Sequence, residues 1–150
     1  MANSVSAPAQ RIEQAIRSYI QACNGANADV IAAHFTREAT HYAPGVSKWV
    51  GAGTIGDNFA KRVKQTGQWW TVDQVLTDAD RCAGALEWTR FDPSNRQIMR
   101  GVDWFVFDPK TFLISEVRPY LATRPNPEVA RHELLDFDYA ARGYPTAFPD

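Results

Sequence analysis

One acidic residue stands inside a run that otherwise has the composition of a buried strand. Asp103 lies in Gly101–Phe107, where every other residue is glycine, valine or aromatic. Removing an unpaired ionised carboxylate from water costs many kcal/mol, so such a group must pair with a cation, stay protonated or line a cavity. The last two arrangements shift the pKa of the carboxyl group, which is what acid–base chemistry needs. The alternative is a structural ion pair with an arginine at a strand edge.

Five other polar residues have structural explanations that compete with functional ones. Arg90 could hold an anionic substrate at the mouth of a pocket, but a surface arginine is favoured. Glu116 and Arg118 alternate with apolar residues on the last strand, a pattern that favours cross-strand ion pairs on the outer face over a catalytic pair. His34 is expected to cap or pack at a helix end, and His132 is expected to be exposed.

The sequence lacks the motifs of common cofactor and metal sites. No two histidines have metal-ligand spacing with a carboxylate, so no metal is expected. There is no glycine-rich phosphate loop and no Ser-His-Asp order typical of a nucleophile elbow. The chain is therefore predicted to work without a cofactor.

The composition is typical of one globular domain. The chain has 150 residues, of which 45% are hydrophobic and 22% charged, and a net charge of −1 without a basic cluster, which argues against nucleic acid as a partner. No apolar run approaches the ~18 residues that a membrane span needs. Met1–Gln10 has no apolar core of a signal peptide, and Cys23 and Cys82 make no disulfide framework, so a cytoplasmic protein with reduced thiols is expected.

Helices come first and strands follow, which is the order of an α+β fold. Apolar spacing predicts a helix over 12–23, a short helix over 29–34 and a third helix that begins at Thr54. A short strand is expected over 39–43. A meander of four strands is expected over 69–77, 83–91, 96–107 and 112–121.

Three regions follow from these elements. Residues 1–10 are expected to form a flexible arm and residues 11–121 the domain. Residues 122–150 are expected to form a tail with a short helix over 128–141.

The turn at 92–95 decides which side chains share a face of the sheet. With four residues in this loop, Trp88 pairs with Met99 and Gly84 with Asp103. One face then carries Leu86, Trp88, Arg90, Met99, Gly101, Asp103, Phe105 and Phe107, and the other carries Glu87, Val102, Trp104 and Val106. A one-residue bulge would exchange Glu87 and Trp88.

Both faces of this hairpin are largely apolar, so both are expected to be covered. Helices would cover one face. A second subunit would cover the other in a homodimer, or the C-terminal helix would take its place.

Three groups of residues follow one another in a recognisable order. They are Tyr19-Ile20 on the first helix, Phe35–Thr40 leading into the first strand, and Gly101–Phe105 ahead of Ile114 and Tyr120. With the helices and the sheet, this order resembles the NTF2-like superfamily, a cone-shaped α+β fold of N-terminal helices packed on a curved antiparallel sheet. The superfamily includes ketosteroid isomerases, scytalone dehydratase, limonene epoxide hydrolase and the SnoaL-like cyclases.

The resemblance to ketosteroid isomerases is the sharpest. In that family a tyrosine on the first helix and an aspartic acid on a sheet strand form an oxyanion hole, which implies these roles for Tyr19 and Asp103. A carboxylic acid in an apolar cavity can stay protonated and donate a hydrogen bond, as ketosteroid isomerases themselves illustrate, and two donors stabilise a developing oxyanion. The family's general base, an aspartate just before a proline, is replaced here by Ala43. His41 lies two residues earlier, should face the same side and is the expected base.

Two related mechanisms do not carry over unchanged. Limonene epoxide hydrolases use an Asp-Arg-Asp set and SnoaL-like cyclases an acid on the last strand, where Pro119 stands in this chain. Scytalone dehydratase uses tyrosines, histidines and an aspartate around a pocket, and Tyr19, His41 and Asp103 are loosely compatible with that pattern.

The resemblance implies an enzyme that moves a proton during isomerisation, dehydration or cyclisation of a small, mostly apolar molecule with a carbonyl or hydroxyl group. Tyr19, His41 and Asp103 are the expected catalytic residues. The expected substrate-binding residues are Trp49, Phe59, Trp70, Trp88, Met99, Phe105, Val117 and Leu121. The alternative is a non-catalytic ligand-binding or dimerisation module, which Ala43 favours and the pair of Tyr19 and Asp103 opposes.

Overall fold

The structure, a computed structural model, describes residues 7–43, 47–122 and 137–149. The helices are α1 (Pro8–Gly25), α2 (Ala28–Ala32) and α3 (Ala52–Thr66). The strands are β1 (Phe35–Ala43), β2 (Ser47–Val50), β3 (Trp69–Asp78), β4 (Ala83–Asp92), β5 (Gln97–Phe107) and β6 (Ile114–Leu121). They form one sheet in the order β2-β1-β6-β5-β4-β3. Three helices on one sheet confirm the predicted α+β class.

The sheet is mixed, whereas a fully antiparallel sheet was expected. β1 runs parallel to β6, with His41 opposite Val117, and the other neighbouring strands are antiparallel. β1 is longer than the predicted strand over 39–43, and β2 was not predicted. The polar residues 36–38 hid the first half of β1, where the pairing with β6 is irregular.

Helix α1 packs directly on the inner face of the sheet. Its predicted stripe is confirmed, because Ile12, Ile16 and Tyr19 are all buried. A Cβ atom at Gly84 would lie 2.8 Å from Ile16 and 3.1 Å from Ile12, so the missing side chain lets the helix approach β4. The helix begins at Pro8, within the segment expected to be an arm.

The β4–β5 hairpin has the predicted faces but not the predicted register. Asp103 pairs with Leu86 and Trp88 pairs with Gly101, because the loop spans 93–96. A shift of two residues leaves each side chain on its original face, so the predicted face assignment is unchanged. A bulge in β4 would have exchanged Glu87 and Trp88. The bulge lies instead in β3, between Val72 and Gln74, so Trp88 keeps its place on the inner face.

Residues 137–149 lie against the outer face of the sheet. The Phe148 ring packs against Phe91 with ring centroids 5.2 Å apart. The Tyr144 hydroxyl donates a hydrogen bond to Glu87. The last described residues therefore cover part of the face that a second subunit was expected to cover.

The helix predicted over 128–141 is wrong where it can be checked, because residues 137–138 have no regular structure and residues 139–143 form a turn. Its remainder, with His132, lies outside the described residues. On the last strand Arg118 pairs with Glu116, along the strand and not across it.

None of the helices in the described ranges is long and apolar enough to cross a membrane. Both cysteines, Cys23 and Cys82, are free and buried.

Two glycines of α3 test how closely the helices pack. A Cβ atom at Gly56 would lie 2.3 Å from the backbone oxygen of Ala28, whereas one at Gly53 meets nothing within 4 Å. We expect Gly56→Ala to lower the free energy of unfolding by about 1–3 kcal/mol because the helices must separate. Gly53→Ala should raise it by up to about 1 kcal/mol, because alanine favours a helix. Urea unfolding measures both, and equal effects would contradict the close contact at Gly56.

Candidate functional site

A cavity of about 340 Å³ lies between the inner face of the sheet and the helices α1 and α3. This volume is at the lower end for small-molecule sites. The predicted residues that line it are Tyr19, His41, Trp49, Phe59, Trp70, Trp88, Met99, Asp103 and Leu121. Ala43, the residue at the position of the missing base, also faces this cavity.

Two of the predicted substrate-binding residues do not line the cavity. Phe105 and Val117 pair across β5 and β6 and are fully buried in the core. They lie on the inner face as expected, but the ring of Tyr19 packs edge-on against Phe105, with centroids 5.8 Å apart. Helix α1 thus covers this level of the face and leaves no space for a ligand.

Asp103 is buried in the cavity wall and hydrogen-bonded to a tryptophan. Trp88 Nε1 donates to Asp103 Oδ1 at 2.7 Å. Burial raises the pKa of Asp103 to about 7, and the hydrogen bond from Trp88 acts in the opposite direction. The structural alternative, an ion pair with an arginine, does not occur among the described residues.

Gly101 makes the bond between Trp88 and Asp103 possible. A Cβ atom at Gly101 would lie 2.3 Å from Cζ2 of Trp88. The indole therefore lies directly over the backbone of its partner strand. From there its nitrogen reaches Asp103, two residues along the same face of β5.

Tyr19 is held by packing and leaves its hydroxyl unbonded. Its ring packs edge-on against Phe35 at 5.2 Å and against Phe105, and the hydroxyl has no hydrogen-bond partner in the described part of the chain. Burial raises the pKa of Tyr19 well above its ordinary value, and the neighbouring Cys23 and Asp103 act in the same direction. The hydroxyl therefore keeps its proton and can donate it in a hydrogen bond.

His41 lies on β1 between two strands, with Trp49 on one side and Val117 on the other. Its ring stacks on Trp49 at 5.4 Å and meets the edge of Phe59 at 4.9 Å, and Nδ1 has no partner among the described residues. Burial lowers the pKa of His41 to about 3; a hydrogen bond within its own backbone partly offsets this, and Arg62 adds to it. The imidazole is therefore neutral at neutral pH.

The unpaired polar atoms of the described residues all converge on this cavity. Four side-chain nitrogen and oxygen atoms are buried without a hydrogen-bond partner in the described ranges: Tyr19 Oη, His41 Nδ1, Gln68 Nε2 and Arg90 Nε. All four residues line the cavity. Because an unsatisfied buried polar group costs about 1–3 kcal/mol, four in one wall indicate a place where a ligand makes the missing bonds.

Sequence reasoning missed Arg62 and Gln68 in the wall, and for Arg90 it favoured the surface over the mouth of the pocket. Arg90 was expected at the surface but is half-buried in the cavity lining. Arg62 lies three residues after Phe59 on the same side of α3, so helical spacing could have identified it. Gln68 follows the left-handed cap at Gly67, where no periodic pattern applies.

Within the described ranges, no group of three or more His, Cys, Asp or Glu side chains is arranged to hold a metal ion. The polar groups of the cavity are instead donors and single acids, which suit hydrogen bonding to an organic ligand.

Comparison with known proteins identifies the fold and a family. A model of the SnoaL-like domain family matches residues 16–112. A protein of unknown function with a cystatin-like fold from Methylobium petroleophilum PM1 is 35% identical, with 95% of each chain covered and a TM-score of 0.74. No curated protein matches the chain.

More distant structures share the fold. A provisionally assigned ketosteroid isomerase from Kribbella flavida DSM 17836 is 19% identical over 79% of this chain and 83% of that chain, with a TM-score of 0.65. An LEH-like epoxide hydrolase from M. tuberculosis is 16% identical over 75% of this chain and 84% of that chain, with a TM-score of 0.65. The predicted membership of the NTF2-like superfamily is confirmed.

Asp103 and His41 should make the stability of the protein depend on pH in opposite directions. The folded pKa of Asp103 lies above its ordinary value, so its contribution is present below about pH 4 and is lost as the pH rises to about 7. The folded pKa of His41 lies below its ordinary value, so the penalty for keeping it neutral disappears as the pH rises from about 3 to about 6.5. The two effects oppose each other between about pH 4 and pH 6.5.

Removing either group should therefore reveal the effect of the other. We expect the free energy of unfolding to rise with pH more steeply in Asp103→Asn than in the unchanged protein. In His41→Gln it should fall with pH over the same interval. Urea unfolding at several pH values measures this, and parallel curves for all three proteins would contradict both shifts.

Proposed function

This chain belongs to the SnoaL-like domain family, and from that premise we propose that it is a cofactor-independent enzyme that moves a proton on its substrate. The reaction is an isomerisation, dehydration or cyclisation of a small, mostly apolar molecule with a carbonyl or hydroxyl group. One observation carries this proposal: a buried carboxyl group with a pKa of about 7, Asp103, faces the same apolar cavity as the unpaired hydroxyl of Tyr19.

The pKa values support Asp103 as the group that carries the proton. A pKa of about 7 populates both protonation states of Asp103 near neutral pH, which is the condition that favours general acid–base catalysis. His41, the base expected from the sequence, has a pKa of about 3 and is a weak base in the empty cavity. We therefore assign proton transfer to Asp103 and give His41 the role of a neutral hydrogen-bonding partner.

The proposed step needs three participants. The Asp103 carboxylate takes a proton from the carbon beside the substrate carbonyl. The electron pair of the broken C–H bond forms a carbon–carbon double bond, and the π pair of the carbonyl moves onto its oxygen. Tyr19 donates a hydrogen bond to the resulting oxyanion, which stabilises it in a cavity with few competing dipoles. Asp103 then returns the proton to another atom of the substrate, or to a leaving hydroxyl group that departs as water.

Exchange of the acidic carbon-bound proton tests this step without knowledge of the product. In heavy water, we expect the protein to catalyse deuterium exchange beside the carbonyl of small cyclic or aryl ketones, followed by NMR. Asp103→Asn should lower the rate by about 10²–10⁴-fold and Tyr19→Phe by about 10²–10³-fold. In the unchanged protein the rate should rise with pH through about 7, because the carboxylate form is required.

Matched controls remove the same chemical groups outside the cavity. Asp57→Asn and Tyr120→Phe change exposed residues and should leave the exchange rate unchanged. An unchanged rate in His41→Gln would remove His41 from the mechanism. Full exchange activity in Asp103→Asn would remove Asp103 from the mechanism. No exchange activity in the unchanged protein would overturn the enzyme proposal and favour the alternative, a non-catalytic ligand-binding module, for which Ala43 in the cavity wall, where the family resemblance expects a base, is the supporting observation.

A homodimer through the outer sheet face is the second part of the proposal. Three large apolar side chains of that face are exposed: Leu76 by 74%, Tyr120 by 61% and Trp104 by 42%. Tyr120 and Trp104 lie on adjacent strands, because Tyr120 pairs with Val102, two residues from Trp104. Exposed apolar groups that adjoin in this way favour burial against a partner.

The remaining partner and location assignments rest on general properties. A net charge of −1 gives the protein no general attraction for the phosphates of a nucleic acid, so no nucleic acid is proposed as a partner. Two free buried cysteines support a reducing, cytoplasmic location. The proposed ligand is a small molecule and the proposed protein partner is a second copy of the chain.

Trp104→Glu tests the dimer. We expect a change from twice 16.8 kDa to 16.8 kDa in light scattering after size-exclusion chromatography, because the substitution removes a large apolar side chain from the interface and places a charge there. Val30→Glu alters an equally exposed apolar residue on α2 and should leave the dimer intact. A monomeric unchanged protein would contradict this part of the proposal.

A further inference from the structure

Two arginines line the cavity without an acidic partner. Arg62 comes from α3 and Arg90 from β4. In the described ranges, neither guanidinium forms an ion pair. Nε of Arg90 is buried and has no hydrogen-bond partner there. An arginine keeps its charge at any ordinary pH, so this end of the cavity holds two positive charges against the one negative charge of Asp92.

Asp92, two residues after Arg90, lines the same cavity and its charge favours the charged form of Arg90, but the two side chains form no ion pair. Asp92 accepts hydrogen bonds on Oδ1 from the backbone nitrogen of Ser94 at 3.1 Å and from its hydroxyl at 2.5 Å. These bonds hold Asp92 in the turn that begins the loop. The carboxylate therefore supports the turn. Arg90 donates from Nη2 to Met99 Sδ, a weak acceptor, and its buried Nε remains free to bind an anion.

Gln68 adds a neutral donor beside the arginines. It is 2% exposed, lines the cavity and leaves Nε2 unpaired. Trp70, two residues after Gln68 and within β3, pairs with Arg90. The guanidinium of Arg62 lies over the ring of Trp49, 5.9 Å from its centroid. Burial lowers the pKa of Arg90, and the positive charge of Arg62 acts in the same direction.

The arginines and the acid stand far apart along the cavity. Arg90 is four residues along β4 from Leu86, and Leu86 is the residue that pairs with Asp103. At about 3.3 Å per residue, the two positions are about 13 Å apart along the strand. Trp88 lies between these two positions on the same face of β4 and lines the cavity, so the wall between them is aromatic.

We infer that the substrate is a small carboxylic acid whose carboxylate is bound by Arg62, Arg90 and Gln68, while its carbonyl or hydroxyl group reaches Tyr19 and Asp103. The aromatic wall between the two ends suits a ring or another rigid apolar body. This inference rests on the proposed function, since it takes the cavity to be the substrate site, and it adds the charge and the orientation of the substrate.

A pair of ligands that differ only in charge tests the inference. para-Acetylbenzoate has a ketone at one end of a ring and a carboxylate at the other, and para-acetylbenzamide replaces the carboxylate by a neutral group of similar shape. We expect the benzoate to bind at least about tenfold more tightly than the benzamide, because charge-assisted hydrogen bonds exceed neutral ones by that factor or more. Isothermal titration calorimetry measures both affinities.

Substitution of each arginine locates the effect. Arg90→Gln and Arg62→Gln should each lower the affinity for the benzoate by about tenfold or more and leave the affinity for the benzamide nearly unchanged. Arg90→Lys keeps the charge and should retain part of the preference. Lys64→Gln removes an exposed charge from the same helix and should change neither affinity by more than about twofold.

The outcomes separate this inference from the proposed function. Equal binding of the two ligands, or a preference for the benzoate that survives both arginine substitutions, would overturn the anion site. Proton exchange on neutral ketones that depends on Asp103 would still support the enzyme in that case. A preference for the benzoate that depends on the arginines, without exchange activity, would support the anion site and reject the proposed reaction.

Discussion

The hydrogen bond from Trp88 Nε1 to Asp103 Oδ1, 2.7 Å long, is the interaction on which the cavity depends. It holds a carboxyl group in an apolar wall where burial disfavours the charged form, and it partly restores that form. The result is a pKa of about 7 instead of an acid that is permanently neutral or ionised. Gly101 is part of the same constraint, because any side chain there would overlap the indole. The absence of a side chain at Gly101 thus allows the hydrogen bond that opposes the rise in the pKa of Asp103, two residues along β5.

Aromatic packing fixes the polar groups of the cavity without using their hydrogen-bonding capacity. Tyr19 is positioned by the rings of Phe35 and Phe105, and His41 by Trp49 and Phe59, so each polar atom points into the cavity unbonded. Ring packing restrains orientation as well as a hydrogen bond would, and it leaves donors free for a ligand. The protein loses stability at each unbonded atom, which is the usual relation between a site and the core that supports it.

The two faces of the sheet serve different purposes because different elements cover them. On the inner face, α1 and α3 leave a gap over one end of the sheet, where β1, β4 and β6 end and β3 begins, and this gap is the cavity. On the outer face, residues 137–149 cover Phe91 and Glu87 but leave Trp104 and Tyr120 exposed. The parallel pairing of β1 with β6 places His41 beside Val117, on the second strand from the edge of the sheet.

The sequence by itself determined which face each strand residue occupies, because side chains alternate along a strand whatever the register. For that reason Asp103, Trp88 and Met99 could be assigned to one wall although the predicted pairing was displaced by two residues. Only the tertiary structure decided which of these inner-face residues line the cavity and which lie under a helix. Phe105 is covered by α1, whereas Trp88 faces the cavity. The tertiary structure also places Arg62 and Gln68 beside the strand residues that line the cavity. The sequence could not predict this, because no local periodicity relates a residue in a helix, or just after it, to a residue in a distant strand. The pKa values followed from this placement, which sets how far each group is removed from water.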